Sequence, residues 1–222
     1  PQWWGASPSA TGAVNAAAIQ ASFNALTDYT SWTLPPGTYT CNASLVIGSY
    51  ATTLYGLIMD FKGRLFFDTC SGLDIRSLSR SNLRGIQVKR SAQDWTANHF
   101  GVKFGGCLHS SIELLVIEDF TYGFWLDGDV RFNAYLNFHL GYIAENQYGQ
   151  YVTWLNGGWN NENNYHGGNF TSNRYGTTAY TNVSIADNTL THATGWPASF
   201  VTGFAVYFTL GESDNMVPPA PL

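Results

Sequence analysis

Charge is scarce in this chain. Aspartate, glutamate, lysine and arginine make up 11% of its 222 residues, less than half the share usual in globular domains. Ten basic residues stand against fifteen acidic ones, a net charge of −5. A nucleic-acid partner held by phosphate neutralisation is therefore excluded, as is a polybasic membrane anchor. Long apolar runs are missing too, so no membrane insertion by a helix is expected. The opening PQWWGASPSATGA has neither the basic nor the apolar region of a signal peptide. It starts at Pro1 rather than Met, which leads us to expect a processed product or a fragment. The three cysteines, Cys41, Cys70 and Cys107, form no CxxC pair and no zinc-spaced cluster. Three buried thiols are expected, with no metal and no cofactor. No Gly-x-Ser-x-Gly elbow occurs. Gly105-Gly106, Gly157-Gly158 and Gly167-Gly168 lack the lysine and the strand–loop–helix setting of a phosphate loop.

Aromatics and glycine are plentiful. There are 8 Trp, 13 Tyr, 14 Phe and 23 Gly, enough apolar surface to argue against disorder and enough chain for one substantial core. A single segment reads as a helix. Asn15 is the expected N-cap, and Ile19, Phe23 and Leu26 make one apolar stripe. Trp32-Thr-Leu-Pro-Pro-Gly-Thr-Tyr39 then reads as strand, turn and strand. Beyond residue 40 short strands follow one another without a helix, which means an all-β architecture.

The strands repeat. Gly101, Gly123, Gly149, Gly176 and Gly203 each open a strand, at spacings of 22, 26, 27 and 27 residues. Matched offsets recur upstream: Ile112, Phe138 and Tyr165 lie eleven residues before three of these glycines. Such a period fits a β-solenoid whose equivalent strands stack in parallel about 4.8 Å apart. The parity of Val102/Phe104, Phe124/Leu126 and Gln150/Val152 points inward, with Gln150 and Thr177 as departures. A solenoid end exposes strand edges and needs a cap, a task for the helix. The expected organisation is an N-terminal segment with capping helix over 1–31, a single parallel β-helix over 32–212, and a Pro-rich tail over 213–222.

In a solenoid, equal offsets become neighbours. Lys103, Trp125 and Tyr151 share an outward offset, and Trp and Tyr stacked on an open β-face make either a platform for sugar rings or a packing surface against another protomer. Glu113, His139 and His166 form a second outward ladder, able to supply an acid or base near neutral pH or simply to face solvent. Asp119 and Glu145 share a corner offset that would bring two carboxylates to about 5 Å, the separation of a retaining glycosidase pair, unless they only form turns. Asp127 reads as a turn residue beside Trp125 and as a secondary carbohydrate-binding candidate. Asn133, Asn137, Asn161 and Asn163 are expected to stabilise corners as asparagine ladders. Glu162, near His166 in sequence, is the further catalytic candidate. Sequons at Asn42, Asn169 and Asn182 matter only in a eukaryotic secretory route.

Trp3-Trp4-Gly5-Ala6, the helix with Ala17-Ala-Ile-Gln20, and Leu34-Pro-Pro-Gly-Thr-Tyr39 resemble the opening segment of pectin-lyase-like right-handed parallel β-helices. Within that superfamily the likeness is greatest to bacteriophage tailspike and tail-fibre proteins. Asn161-Glu-Asn-Asn-Tyr-His-Gly-Gly-Asn-Phe170 is similar to an Asn-Glu-Asn…Gly-Gly stretch of such phage β-helices. The resemblance spans roughly residues 1 to 210. The family's acidic Gly-Asp-Gly…Thr-Asp-Asp run is replaced here by Ser7-Pro-Ser-Ala-Thr-Gly-Ala-Val-Asn15. The resemblance implies a homotrimer on the virion tail that binds host cell-surface glycan and often depolymerises it, as a hydrolase or a lyase. Alternatives are a non-catalytic structural or receptor-binding fibre segment and a cellular pectin-lyase-like enzyme acting as a monomer.

Overall fold

The computed structural model describes residues 2–93, 95–128, 131–153, 160–173, 183–186 and 189–192. The helix forms where the apolar stripe stands, with Ile19 and Phe23 buried on it, but it ends before Leu26, which is buried just past its C-cap. Its start differs from expectation. Helix α1 (Gly12–Asn24) is capped by Thr11, whose side chain accepts the Val14 amide at 3.4 Å. Asn15 lies in the first turn instead. Fully buried, it accepts the Ser7 amide at 2.9 Å and donates to the Ala10 carbonyl, so its capacity for local backbone bonding holds the opening loop rather than the helix end.

Between Ser31 and Thr171 the chain winds as a parallel β-helix of about five turns. The first coil comprises β1 (Ser31–Leu34), β2 (Thr38–Cys41), β3 (Leu45–Gly48) and β4 (Leu54–Tyr55); the second β5 (Ile58–Phe61), β6 (Arg64–Phe67), β7 (Leu73–Arg76) and β8 (Leu78–Ser79). The third holds β9 (Asn82–Arg90) and β10 (Phe100–Gly105). The fourth holds β11 (Ser111–Glu118), β12 (Tyr122–Asp127) and β13 (Asn133–Ala134). The fifth holds β14 (Asn137–Ala144), β15 (Tyr148–Thr153) and β16 (Asn160–Asn161), and β17 (Asn164–Thr171) follows. Equivalent strands stack into three sheets. Sheet I runs β1-β5-β9-β11-β14-β17, with β2 and β6 alongside; sheet II runs β3-β7-β10-β12-β15. Sheet III is short, β4-β8 and β13-β16 joined through Leu108.

The glycine repeat has a steric cause. Gly72, Gly101, Gly123 and Gly149 occupy one column of sheet II. A β-carbon on Gly101 would meet the Gly123 carbonyl at 2.6 Å, and one on Gly123 would meet that of Gly149 at 2.5 Å. The next coil's backbone fills the space of a side chain, so each rung needs its glycine. The inward columns Leu45–Leu73–Val102–Phe124 and Ile47–Ile75–Phe104–Leu126 are fully buried. Gln150 continues the first of them and is satisfied by donating to the Tyr165 hydroxyl at 3.0 Å.

Corners are fixed by asparagine and by left-handed residues. Asn133 accepts the Cys107 amide at 2.9 Å and donates to Asn160 at 2.8 Å. Asn146, buried at the next corner, accepts the Phe120 amide at 3.0 Å, and its own amide donates to Asn173 at 3.0 Å. Asn163 accepts the Leu136 amide, while Asn137 pairs outward with Asn164; the Asn161 side chain lies outside the described set. Where sheet III turns into sheet I, Tyr29, Gly56, Arg80, His109, Tyr135 and Glu162 stand in one column with φ between 48° and 66°.

The helix caps the first coil. Its Ala16, Ala18 and Ile19 are buried, Phe23 packs on Trp32 at 4.9 Å, and the Trp32 indole donates to Ser22 at 3.0 Å. Gln20 imitates a strand: its amide donates to the Val46 carbonyl at 2.9 Å and accepts the Val46 amide at 2.8 Å, covering the outer edge of β3. The cysteines are unpaired. Cys41 and Cys107 are buried, but Cys70 is only half-buried, correcting the expectation of three buried thiols.

By contact the chain divides into two units, Pro1–Thr178 and Ala179–Leu222. In the second, β18 (Val183–Ala186) and β19 (Thr189–His192) pair antiparallel. The expected rungs at Gly176 and Gly203 and the boundary at 212 lie outside the described residues.

Candidate functional site

The outer face of sheet II carries three adjacent columns. The first is Phe100–Tyr122–Tyr148, the second Asp74–Lys103–Trp125–Tyr151, the third Arg76–Gly105–Asp127–Thr153. Alternation along each strand sends these side chains outward while their neighbours fill the core. Parallel stacking then brings aromatics from three coils together. Tyr122 lies against Tyr151 at 4.3 Å, Tyr148 at 5.6 Å and Trp125 at 5.5 Å; Trp125 meets Phe100 edge-on at 6.2 Å and Tyr151 at 5.5 Å. The Trp125 indole donates to the Thr153 hydroxyl at 3.0 Å, which fixes its ring. All five rings are half-buried. Burial, with Tyr151 and Tyr148 alongside, pushes the Tyr122 hydroxyl up, so it stays protonated. The result is a rigid aromatic strip with polar edges, suited to sugar rings.

One end of the strip is ionic. Lys103 reaches Asp74 at 3.3 Å and Asp127 at 3.6 Å, with Phe100 and Trp125 rings 5.2 and 5.3 Å from its ammonium. The two carboxylate oxygens are thus at most about 7 Å apart. Arg76 binds the same Asp74 oxygen through Nε at 3.0 Å and Nη2 at 2.5 Å. Both aspartates are buried. Asp127 is therefore the end of β12 and an ion-pair partner, not a turn residue. Lys103 is engaged by acids and is not a free cation for a ligand.

The other ladders form, with different chemistry from that expected. Glu113, His139 and His166 do stack, and the two imidazoles lie 5.1 Å apart. The Glu113 carboxylate accepts the Gly85 amide at 2.9 Å, capping the bulge where β5 and β6 merge into β9. Its part is structural. Asp119 and Glu145 take equivalent left-handed corner positions at φ 70° and 57°. Asp119 is buried and paired with Lys89 at 3.2 Å, and Glu118 binds the same lysine at 3.2 Å. Burial disfavours that charged lysine, yet the two carboxylates outweigh it and hold its pKa up. Gln93 donates to the Glu145 carbonyl, so a loop from the third coil lies across this corner. Glu162 stands in the sheet III–sheet I corner column above Tyr135, whose hydroxyl it holds protonated by hydrogen bonding. His166 belongs to sheet I. Among the described residues no three His, Cys, Asp or Glu side chains gather to hold a metal ion.

No family model, curated protein or solved structure matches the chain. The site therefore rests on its geometry. Sequence reasoning missed Phe100, Tyr122 and Tyr148, although each stands immediately before a rung glycine and the common offset could have shown them. Asp74 and Arg76 carry no such signal because their rung glycine, Gly72, stands 29 residues before Gly101, outside the 22–27 spacing of the other rungs. Tyr50 comes from a loop and carries no periodic signal.

Proposed function

We propose that this chain is a phage tailspike- or tail-fibre-type β-helix that recognises host cell-surface glycan on the outer face of sheet II. The observation that supports this most is the aromatic strip of Phe100, Tyr122, Trp125, Tyr148 and Tyr151, built across three coils. The resemblance of the opening segment and of 161–170 to phage β-helices supplies the class of partner. Recognition without cleavage is favoured by what the acids do. Glu113 caps a bulge, Asp119 holds Lys89, and Asp74 and Asp127 hold Lys103. A depolymerase needs at least one acid free to give or take a proton at the glycosidic bond, and of the candidates Glu145 and Glu162 are the ones left for that.

The experiment is a binding screen on an array of bacterial surface glycans. Positive glycans are then incubated with the protein and assayed for new reducing ends and for unsaturated uronate absorbance. Binding without either product is expected; product formation would restore the enzyme reading. Trp125→Ala should abolish binding while light scattering shows an unchanged assembly. If the assembly falls apart instead, the strip is a contact between protomers.

A further inference from the structure

A polar cleft beside the aromatic strip, shut in this structure by the Tyr50 ring, holds atoms that the fold leaves unanswered. Tyr50, from the loop after β3, crosses two coils. Its ring lies 5.0 Å from the Arg76 guanidinium, and its hydroxyl sits directly over Gly105, where a β-carbon would collide with it. Gly105 lies between Arg76 and Asp127 in the third column and next to Lys103 in its own strand. The slot is thus walled by Tyr50, Asp74, Arg76, Lys103 and Asp127. Within it the Tyr50 hydroxyl and Asp74 Oδ1 are buried without a hydrogen-bond partner among the described residues. The neighbouring oxygen, Asp74 Oδ2, is by contrast crowded by Arg76 and Lys103.

Two consequences follow from charge. The two cations of the slot are both committed to its two carboxylates, so an incoming anion finds no uncommitted positive charge there. The charged open valence is an acceptor, since Asp74 Oδ1 lacks a donor and a buried acceptor left so is costly, while the neutral Tyr50 hydroxyl can donate or accept. A hydroxyl or an amide N–H answers it; a uronate, sulfate or phosphate is repelled by it.

We infer that this slot is the specificity subsite of the aromatic strip and that the ligand is a neutral glycan, one of whose hydroxyl or acetamido groups donates to Asp74 and meets the Tyr50 hydroxyl. The inference rests on the glycan-recognition reading and adds the substrate class. The sugar ring lies on Trp125 and Tyr151 while the donating substituent enters between Tyr50 and Gly105, so the Tyr50 side chain moves off Gly105 on binding. Arg131, whose side chain lies over Gly106 at the adjoining corner, is the alternative contact for an acidic ligand.

The test is titration of the intact chain with neutral members of the bacterial glycan array and with members bearing uronate or phosphate. Neutral glycans are expected to bind and acidic ones not. Tyr50→Phe, which removes one hydroxyl from a loop, should weaken neutral binding about three- to tenfold with the thermal midpoint unchanged. Asp74→Asn, which keeps the shape but loses the charge, should weaken it more. Unchanged affinity in a folded Tyr50→Phe protein, with Trp125→Ala still abolishing binding, overturns the subsite and leaves the strip standing. Preference for acidic glycans, lost in Arg131→Ala, overturns the substrate class alone. If no glycan of either class binds, glycan recognition itself falls and the subsite falls with it.

Discussion

Trp125 shows how much one residue takes from its place in a solenoid. Alone it is a half-exposed indole; in register it gains Tyr122 and Tyr151 as ring neighbours and Thr153 as a hydrogen-bond acceptor. Gly123, two positions earlier, is constrained from the other side. Gly123→Ala drives a methyl into the Gly149 carbonyl and should cost roughly 1–3 kcal/mol, read as a lower urea midpoint with circular dichroism otherwise intact. At this scale the sequence was informative about direction and poor about chemistry. That Trp125, Tyr151, Glu113 and His139 point outward followed from parity, and they do. That Glu113 would be spent on the Gly85 amide did not follow, because a bulge breaks the period on which the reading depends.

The elements depend on polar side chains that replace missing backbone partners. Asn146 ties two adjacent coils at one corner, accepting from Phe120 and donating to the Ile117 and Ala144 carbonyls at 3.0 and 2.8 Å. Asn146→Ala should cost roughly 1–3 kcal/mol for each buried group left unpaired, measured by urea unfolding, and Asn146→Asp should not rescue it because a carboxylate cannot donate. Gln20 does the same for the edge of β3. Gln20→Ala should open that edge, and light scattering should then show concentration-dependent association beyond that of the unaltered chain. The helix itself was legible from Ile19, Phe23 and Leu26; its cap was misplaced because Asn15 and Thr11 are both competent capping residues and only burial in the opening loop separates them.

For the whole molecule, the winding was the most legible property, since a glycine recurring every two dozen residues has one compact explanation. The number of sheets and the ion pairs were not, since loops such as the one bearing Tyr50 cross the repeat without obeying it. Stability should also depend on pH in a definite direction. Burial pushes the Cys41 and Cys107 thiols up to about 12, while exposed thiols ionise near ~8.5. The folded chain keeps two protons that the unfolded chain releases. The stability linked to them is intact below about pH 8.5 and is lost as pH rises toward about 12. Urea midpoints at intermediate alkaline pH should fall, and the fall should shrink in a Cys41→Ala, Cys107→Ala double variant.

The corner column of Tyr29, Gly56, Arg80, His109, Tyr135 and Glu162 has a wider meaning. Residues of five chemical kinds adopt one backbone conformation there. The bend is imposed by the strands on either side, and the side chain has little say in it. Natural variation, or a designer, can therefore rewrite what this edge displays, residue by residue, while the scaffold behind it keeps its shape. Exchanging Arg80 or His109 for asparagine should move the melting temperature by no more than about 2 °C, a freedom that the glycine rungs of sheet II deny.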